Sequence, residues 1–335
     1  MMNSPGGYMR KHFRDLVTGV FGLALIIFVF GSFVIVAQTT TGTWSSRTRN
    51  TGKDGTGAPD REKIHLSFSR TTAKGGKNQH GSDFAYSDLQ GLSYEQAQNG
   101  RASFRIVREA GTIDCDGTFE DGKGTGTFTF TPNQAFVDGM ASRGFTLTEE
   151  QRFSAATINV TTAAADDLKN SGLGPVDTDD LFKAVIFKVT PQFIAEMKAT
   201  GFPNMGMEEL VKARIFKVDA DYVRQVKDMG FSNQGFEELV KFRIFKVTPE
   251  FLAELKSHGF SNLGAEEVVK FRIFKVTPEL LTTLKNEGFG NISAEEVVKF
   301  QIFKIDAEFI RTAKAENPNV TVQQLVEMKI GVRRR

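Results

Sequence analysis

The chain has 335 residues, with 42 basic side chains against 40 acidic ones and a single cysteine. So even a balance argues against a polyanion-binding protein, nucleic acid included. One cysteine excludes an internal disulfide.

Residues 1–15 carry Arg10, Lys11 and Arg14 and read as a cytoplasmic N-terminus. Residues 16–37 contain no charged side chain. At 1.5 Å per residue, about 22 helical residues span a bilayer core of about 30 Å. The next basic residue is Arg47, so the positive-inside rule places the remaining chain outside the cytoplasm. The expectation is a single-pass inner-membrane protein with most of its chain periplasmic or extracytoplasmic. The alternative is a secreted protein, released after signal cleavage at Ile35-Val36-Ala37 before Gln38. The apolar stretch is longer than the ~7–15 residues usual for a signal core.

Residues 38–62 are rich in Thr, Gly and Ser and read as a flexible linker. Trp44 is the one residue there suited to pinning a short strand. Residues 63–131 then read as a small antiparallel β module. Ile64-His65-Leu66-Ser67-Phe68, Phe104-Arg105-Ile106 and Phe128-Thr129-Phe130 alternate as half-buried strands do. Asp121-Gly122-Lys123-Gly124 reads as a hairpin turn between Thr118-Phe119 and Thr127-Phe128. The first helical repeat is the expected cover for one face of the sheet.

Residues 132–332 are organised by a phrase repeated in strict register. Ile186-Phe187-Lys188-Val189 returns beginning at Ile215, Ile244, Ile273 and, with Ile305 in its last place, Ile302, each 29 residues after the one before. A fixed period of this size signals stacked repeats. In one unit Thr248 caps a helix, Pro249 opens it, Phe251, Leu252 and Leu255 form its apolar face, and Gly259 ends it. The stop position reads Gly172, Gly201, Gly230, Gly259, Gly288 and Asn317. A second helix starts with Glu266-Glu267 and runs to Phe274, and its Glu266 and Lys270 are spaced for an i, i+4 pair. The same spacing recurs at Glu208–Lys212, Glu237–Lys241 and Glu295–Lys299. Val268, Val269, Phe271, Ile273 and Phe274 spread around this helix, which predicts burial on more than one side. Each helix is too short to persist alone. The expected fold class is α+β: a transmembrane helix, a small antiparallel β module and an α-solenoid. The competing reading makes Ile-Phe-Lys-Val a β-strand within a β-α repeat.

Chemistry is sparse. Cys115 alternates with Ile113 in a strand pattern and reads as a buried small residue. His65, His80 and His258 show no metal-ligand spacing, and Gly122-Lys123-Gly124-Thr125-Gly126 lacks the order of a phosphate loop. No catalytic, cofactor or metal site is expected, and the chain reads as non-enzymatic. The constellation with binding potential is a basic ladder of Lys212, Arg214, Lys241, Arg243, Lys270, Arg272 and Lys299, joined by Lys188, Lys217, Lys246, Lys275 and Lys304. Equivalent positions in stacked repeats line up, so these cations suit an anionic envelope ligand. Alternatively they complement helix C-termini and pair with glutamates.

The pattern Val-Thr-Pro-Glu-Phe-Leu, Gly-Phe and Glu-Glu-Val-Val-Lys-Phe-Arg-Ile across residues 247–273 resembles helical repeats of uncharacterised envelope proteins from Acidobacteria-like bacteria. Similar repeats follow the protease domain in some membrane metallopeptidases of the BlaR/MecR type. Phe104 to Thr112, with Asp116-Gly117-Thr118-Phe119, resembles the small glycine-rich module preceding them. The resemblance covers about residues 100–331. It implies the helical-repeat architecture of such envelope proteins, and it carries over no catalytic residue, because the zinc motif of the peptidases is missing here. The chain is expected to act as an interaction or scaffolding module for an unknown envelope protein partner.

Overall fold

Alternating side chains in the N-terminal half build a sheet. In the computed structural model, which describes residues 39–50, 59–71 and 76–331, the strands are β1 (Thr40–Asn50), β2 (Pro59–Thr71), β3 (Lys77–Ala85), β4 (Leu89–Gln90), β5 (Gly100–Arg108), β6 (Gly111–Glu120) and β7 (Lys123–Pro132). They form one antiparallel sheet of order β3-β2-β1-β7-β6-β5-β4, curled into a half barrel. Asp121 and Gly122, both with positive φ, close the two-residue hairpin between β6 and β7, as the mirror-image turn requires. Ile64, Leu66, Phe68, Phe104, Ile106, Phe128 and Phe130 point inward.

The segment expected to be a linker contains an interior strand. β1 lies between β2 and β7 and hydrogen-bonds to both. Its Thr/Ser/Gly composition has a packing reason. The outer face carries exposed hydroxyl residues, whereas the inner face seats Trp44, 2 % exposed. The indole lies over glycines. A Cβ built on Gly117, Gly124 or Gly126 would come within 2.6, 2.7 or 2.7 Å of an indole atom. Trp44 Nε1 donates to the Asp116 carbonyl at 3.3 Å.

Helices then run to the C-terminus. They are α1 (Gln134–Ser142), α2 (Glu149–Ile158), α3 (Thr162–Lys169), α4 (Thr178–Phe187), α5 (Pro191–Ala199), α6 (Met207–Phe216), α7 (Ala220–Asp228), α8 (Phe236–Ile244), α9 (Pro249–Ser257), α10 (Ala265–Ile273), α11 (Pro278–Asn286), α12 (Ala294–Ile302), α13 (Ala307–Glu316) and α14 (Val322–Lys329). From α2 to α12 the even-numbered helices begin 29 residues apart. Each packs on the next even-numbered helix from α4 to α14. Thr190, Asp219, Thr248, Thr277 and Asp306 all cap as expected, their side chains accepting from the backbone N–H three residues on. Inside successive repeats Phe231 meets Phe242, Phe260 meets Phe271 and Phe289 meets Phe300 edge-on, with centroids 5.1–5.5 Å apart. Phe153 of α2 joins helices to sheet, stacking on Phe128 at 5.0 Å and meeting Phe68 and Phe130 edge-on.

Ile-Phe-Lys-Val finishes a helix and is no strand. Its lysine adopts the left-handed conformation, with φ between 49° and 55° at Lys188, Lys217, Lys246, Lys275 and Lys304. Asn159, 29 residues before Lys188, does the same. Gly172, Gly201, Gly230, Gly259 and Gly288 have positive φ, but Asn317 does not; its φ is −140°. Pro318 follows it, and a residue before proline is pushed to extended geometry.

No helix among the described residues is long and apolar enough to cross a membrane. The expected transmembrane segment 16–37 lies outside the described residues.

Candidate functional site

The even-numbered helices present the one surface repeated from unit to unit, and their sequence explains its layout. α14 carries no acidic residue in its first turn; from α2 to α12 each carries two there, at the positive end of the helix dipole. The second of these folds back: Glu209, Glu267 and Glu296 accept from the N–H of Gly206, Gly264 and Ser293 at 2.6–2.8 Å. The first stays exposed.

The expected i, i+4 pairs give way to bridges between repeats. Lys212 Nζ lies 2.6 Å from Glu237 of the next even-numbered helix, and Lys183 is paired likewise with Glu208. Lys241 meets Glu238 on its own helix at 3.3 Å. Stacking brings the neighbour's carboxylate as close as the helix's own, which spacing within one helix does not reveal. Lys270 and Lys299 make no ion pair among the described residues. They flank the groove between α10 and α12, and Lys270 also lines the one between α8 and α10.

The arginines of the ladder turn inward. Arg214 Nε donates to the Phe187 carbonyl at 3.1 Å, and Arg243 Nε to the Lys217 carbonyl at 3.0 Å. Each acceptor belongs to the end of the preceding even-numbered helix. The guanidinium carbons of Arg214, Arg243 and Arg272 lie 4.6, 3.5 and 3.7 Å from the ring centroids of Phe193, Tyr222 and Phe251. Burial holds the Arg272 pKa below the ordinary arginine range. A second row serves the odd-numbered helices: Lys169, Lys198 and Lys227 donate to the Arg143, Gly172 and Thr200 carbonyls at 2.8–3.1 Å. Lys188, Lys217, Lys246, Lys275 and Lys304 hold the left-handed turn with exposed side chains.

The feature the periodicity alone did not reveal is a row of bare isoleucines. Ile186, Ile215, Ile244, Ile273 and Ile302 are 45–54 % exposed, although the helix pattern predicted burial for Ile273. Each stands seven residues after the first exposed glutamate of its helix where one is present, and three after the ladder lysine, so the three fall on one stripe. Five identical residues at one repeat position do not by themselves mark exposure, because the buried row Val211, Val240, Val269 and Val298 is just as uniform. Ile215 and Lys212 line one groove beside the row, of about 650 Å³, and two equivalent grooves follow toward the C-terminus. Phe242, Phe245, Ala265, Val269 and Ile273 line the first, of about 240 Å³. Phe271, Phe274, Ala294, Val298 and Ile302, each 29 residues on, line the second, of about 380 Å³.

The β module holds a separate polar cluster. Arg70, 8 % exposed, lies 3.5 Å from Glu149 and 3.9 Å from Glu150, and His80 Nε2 lies 4.0 Å from Glu150. Asn78 donates to the same Glu150 carboxylate. Desolvation lowers the His80 pKa; Glu150 raises it and Arg70 adds to the lowering. Cys115 is buried, and burial raises its thiol pKa. No three His, Cys, Asp or Glu side chains among the described residues are grouped to hold a metal ion.

Comparison with known proteins gives no match, either to a family model or to a curated protein.

Proposed function

We propose that the chain is a non-enzymatic, single-pass protein of the bacterial inner membrane whose exported helical repeats bind another envelope protein. The repeats form an α-solenoid, and the binding face is the isoleucine row of the even-numbered helices. One observation carries this reading: five equivalent isoleucines stand 45–54 % exposed on successive even-numbered helices. An exposed apolar row repeated from helix to helix suits an interaction site. The uncharged stretch 16–37 and the basic residues before it support the anchored topology, and the resemblance of residues 100–331 supports the envelope setting.

The test is photo-crosslinking in intact cells from position 244 or 273, with fractionation and external protease digestion. The expected result is a discrete crosslinked protein, lost in Ile244→Asp/Ile273→Asp, from a chain retained in the membrane and cut from outside. Recovery of the intact chain in the cytosol overturns the topology. Unchanged crosslinking in the double variant overturns the face. Recovery of a soluble exported chain starting at Gln38 would instead favour cleavage of residues 1–37.

A second reading is a sensor for an anionic envelope ligand, favoured by Lys270 and Lys299, which form no ion pair among the described residues. It predicts salt-dependent binding of anionic lipid or polymer, lost on Lys241→Glu/Lys270→Glu/Lys299→Glu.

A further inference from the structure

The two grooves constrain what fits them. Equivalent residues of neighbouring grooves belong to adjacent packed helices, whose axes lie about 8–10 Å apart. A ligand filling both must present side chains on one face at that interval. A helix rises 1.5 Å per residue, so residues i and i+7 are about 10.5 Å apart on one face. An extended strand advances about 3.3 Å per residue and alternates its faces. Its same-face spacings are about 6.6 and 13 Å, and neither matches.

Charge narrows the occupant further. Between the grooves runs the α10 ridge, where Lys270 and Ile273 are exposed. Lys183 and Lys212 already hold the glutamates of the following repeats; Lys270 and Lys299 form no ion pair among the described residues, and both border the apolar lining, where Glu267 and Glu295 also stand.

We infer that the grooves between α8, α10 and α12 bind an amphipathic helix of a partner protein. Its axis runs along the array, its apolar side chains at i and i+7 enter the two grooves, and a carboxylate at i+3 or i+4 meets Lys270. This rests on the isoleucine face being the interaction surface. It adds the shape of the partner segment and its place on the C-terminal repeats.

The experiment uses the full chain in detergent and a labelled synthetic helix of about 14 residues. The peptide carries Leu at i and i+7 and Glu at i+3. Control peptides of the same composition place the leucines five apart, or insert a central proline. Fluorescence anisotropy should show saturable binding of the first peptide alone. Affinity should fall about tenfold in Ile273→Asp/Ile302→Asp. It should fall in Lys270→Glu and return when the peptide's Glu is exchanged for Lys. Circular dichroism of the variants confirms that they are folded.

Equal binding of the controls, or no rescue by the charge exchange, overturns the inference. So does sedimentation showing a dimer that Ile273→Asp/Ile302→Asp dissociates, because a second copy then occupies the face. If the cellular crosslink from position 273 persists while the peptide fails to bind, the helical partner alone is refuted. If the crosslink is also independent of the isoleucines, the underlying face falls with it.

Discussion

The Arg243 guanidinium carbon lies over Tyr222, 3.5 Å from the ring centroid, while its Nε donates to the Lys217 carbonyl. One side chain thus bonds the end of the previous repeat to the first helix of its own. Arg214 does the same with Phe187 and Phe193. These arginines hold neighbours together, which is why the exposed part of the basic ladder reduces to its lysines.

Arg243→Ala should therefore destabilise the array by about 1–3 kcal/mol, the combined size of a cation–π contact and a charged hydrogen bond. Arg243→Lys should recover only part, because an ammonium lacks the planar fork. Urea denaturation followed by circular dichroism measures both. An unchanged midpoint would show that the contact contributes nothing to stability.

The lysines at the helix ends occupy a backbone region unfavourable to side chains. A left-handed residue other than glycine is disfavoured by about 1–2 kcal/mol, and Lys246 has φ 53°. Lys246→Gly should stabilise the chain by up to about 1 kcal/mol, offset partly by greater freedom when unfolded. Lys246→Val should destabilise it, since a branched Cβ worsens the clash. Thermal melts of the two variants should move in opposite directions.

Trp44 is the chain's single tryptophan, so fluorescence reports on its niche directly. Gly126→Ala would place a methyl 2.0 Å from the Asp116 carbonyl oxygen and 2.7 Å from Trp44 Nε1. The backbone must shift, and a loss of about 1–3 kcal/mol is expected, with a red-shifted emission. Thr127→Ala, on the exposed face of the same strand, should leave the spectrum unchanged.

Stability should also fall in mild acid through His80. Its folded pKa lies below the ordinary 6.5, chiefly through burial. The unfolded chain therefore takes up this proton first as pH falls. The contribution is complete above pH 6.5 and is lost progressively below it, toward the lowered folded value. Glu150 opposes the shift and Arg70 reinforces it. Denaturation midpoints between pH 5 and pH 8 should slope less in His80→Gln than in the unaltered chain. Parallel profiles would remove His80 as the cause.

The amino-acid sequence by itself determined the repeat length, the caps and the stops, because each depends on residues within a few positions of one another. Thr248 caps its helix and Gly259 ends the same helix whatever surrounds them. It also determined β5 to β7, whose alternation and tight hairpin are local.

Tertiary structure decided the rest. β1 looked like tether because Thr, Ser and Gly serve linkers and hydroxylated strands equally, and only Trp44 seated on Gly117, Gly124 and Gly126 of other strands separates the two cases. Lys212 had two glutamates within reach in principle, and stacking chose the one in the next repeat. Ile273 carries the same hydrophobicity as its buried neighbours, yet the packing of α8, α10 and α12 leaves it in solvent. Burial is a property of what lies opposite a side chain, and a helix pattern records only the side chain.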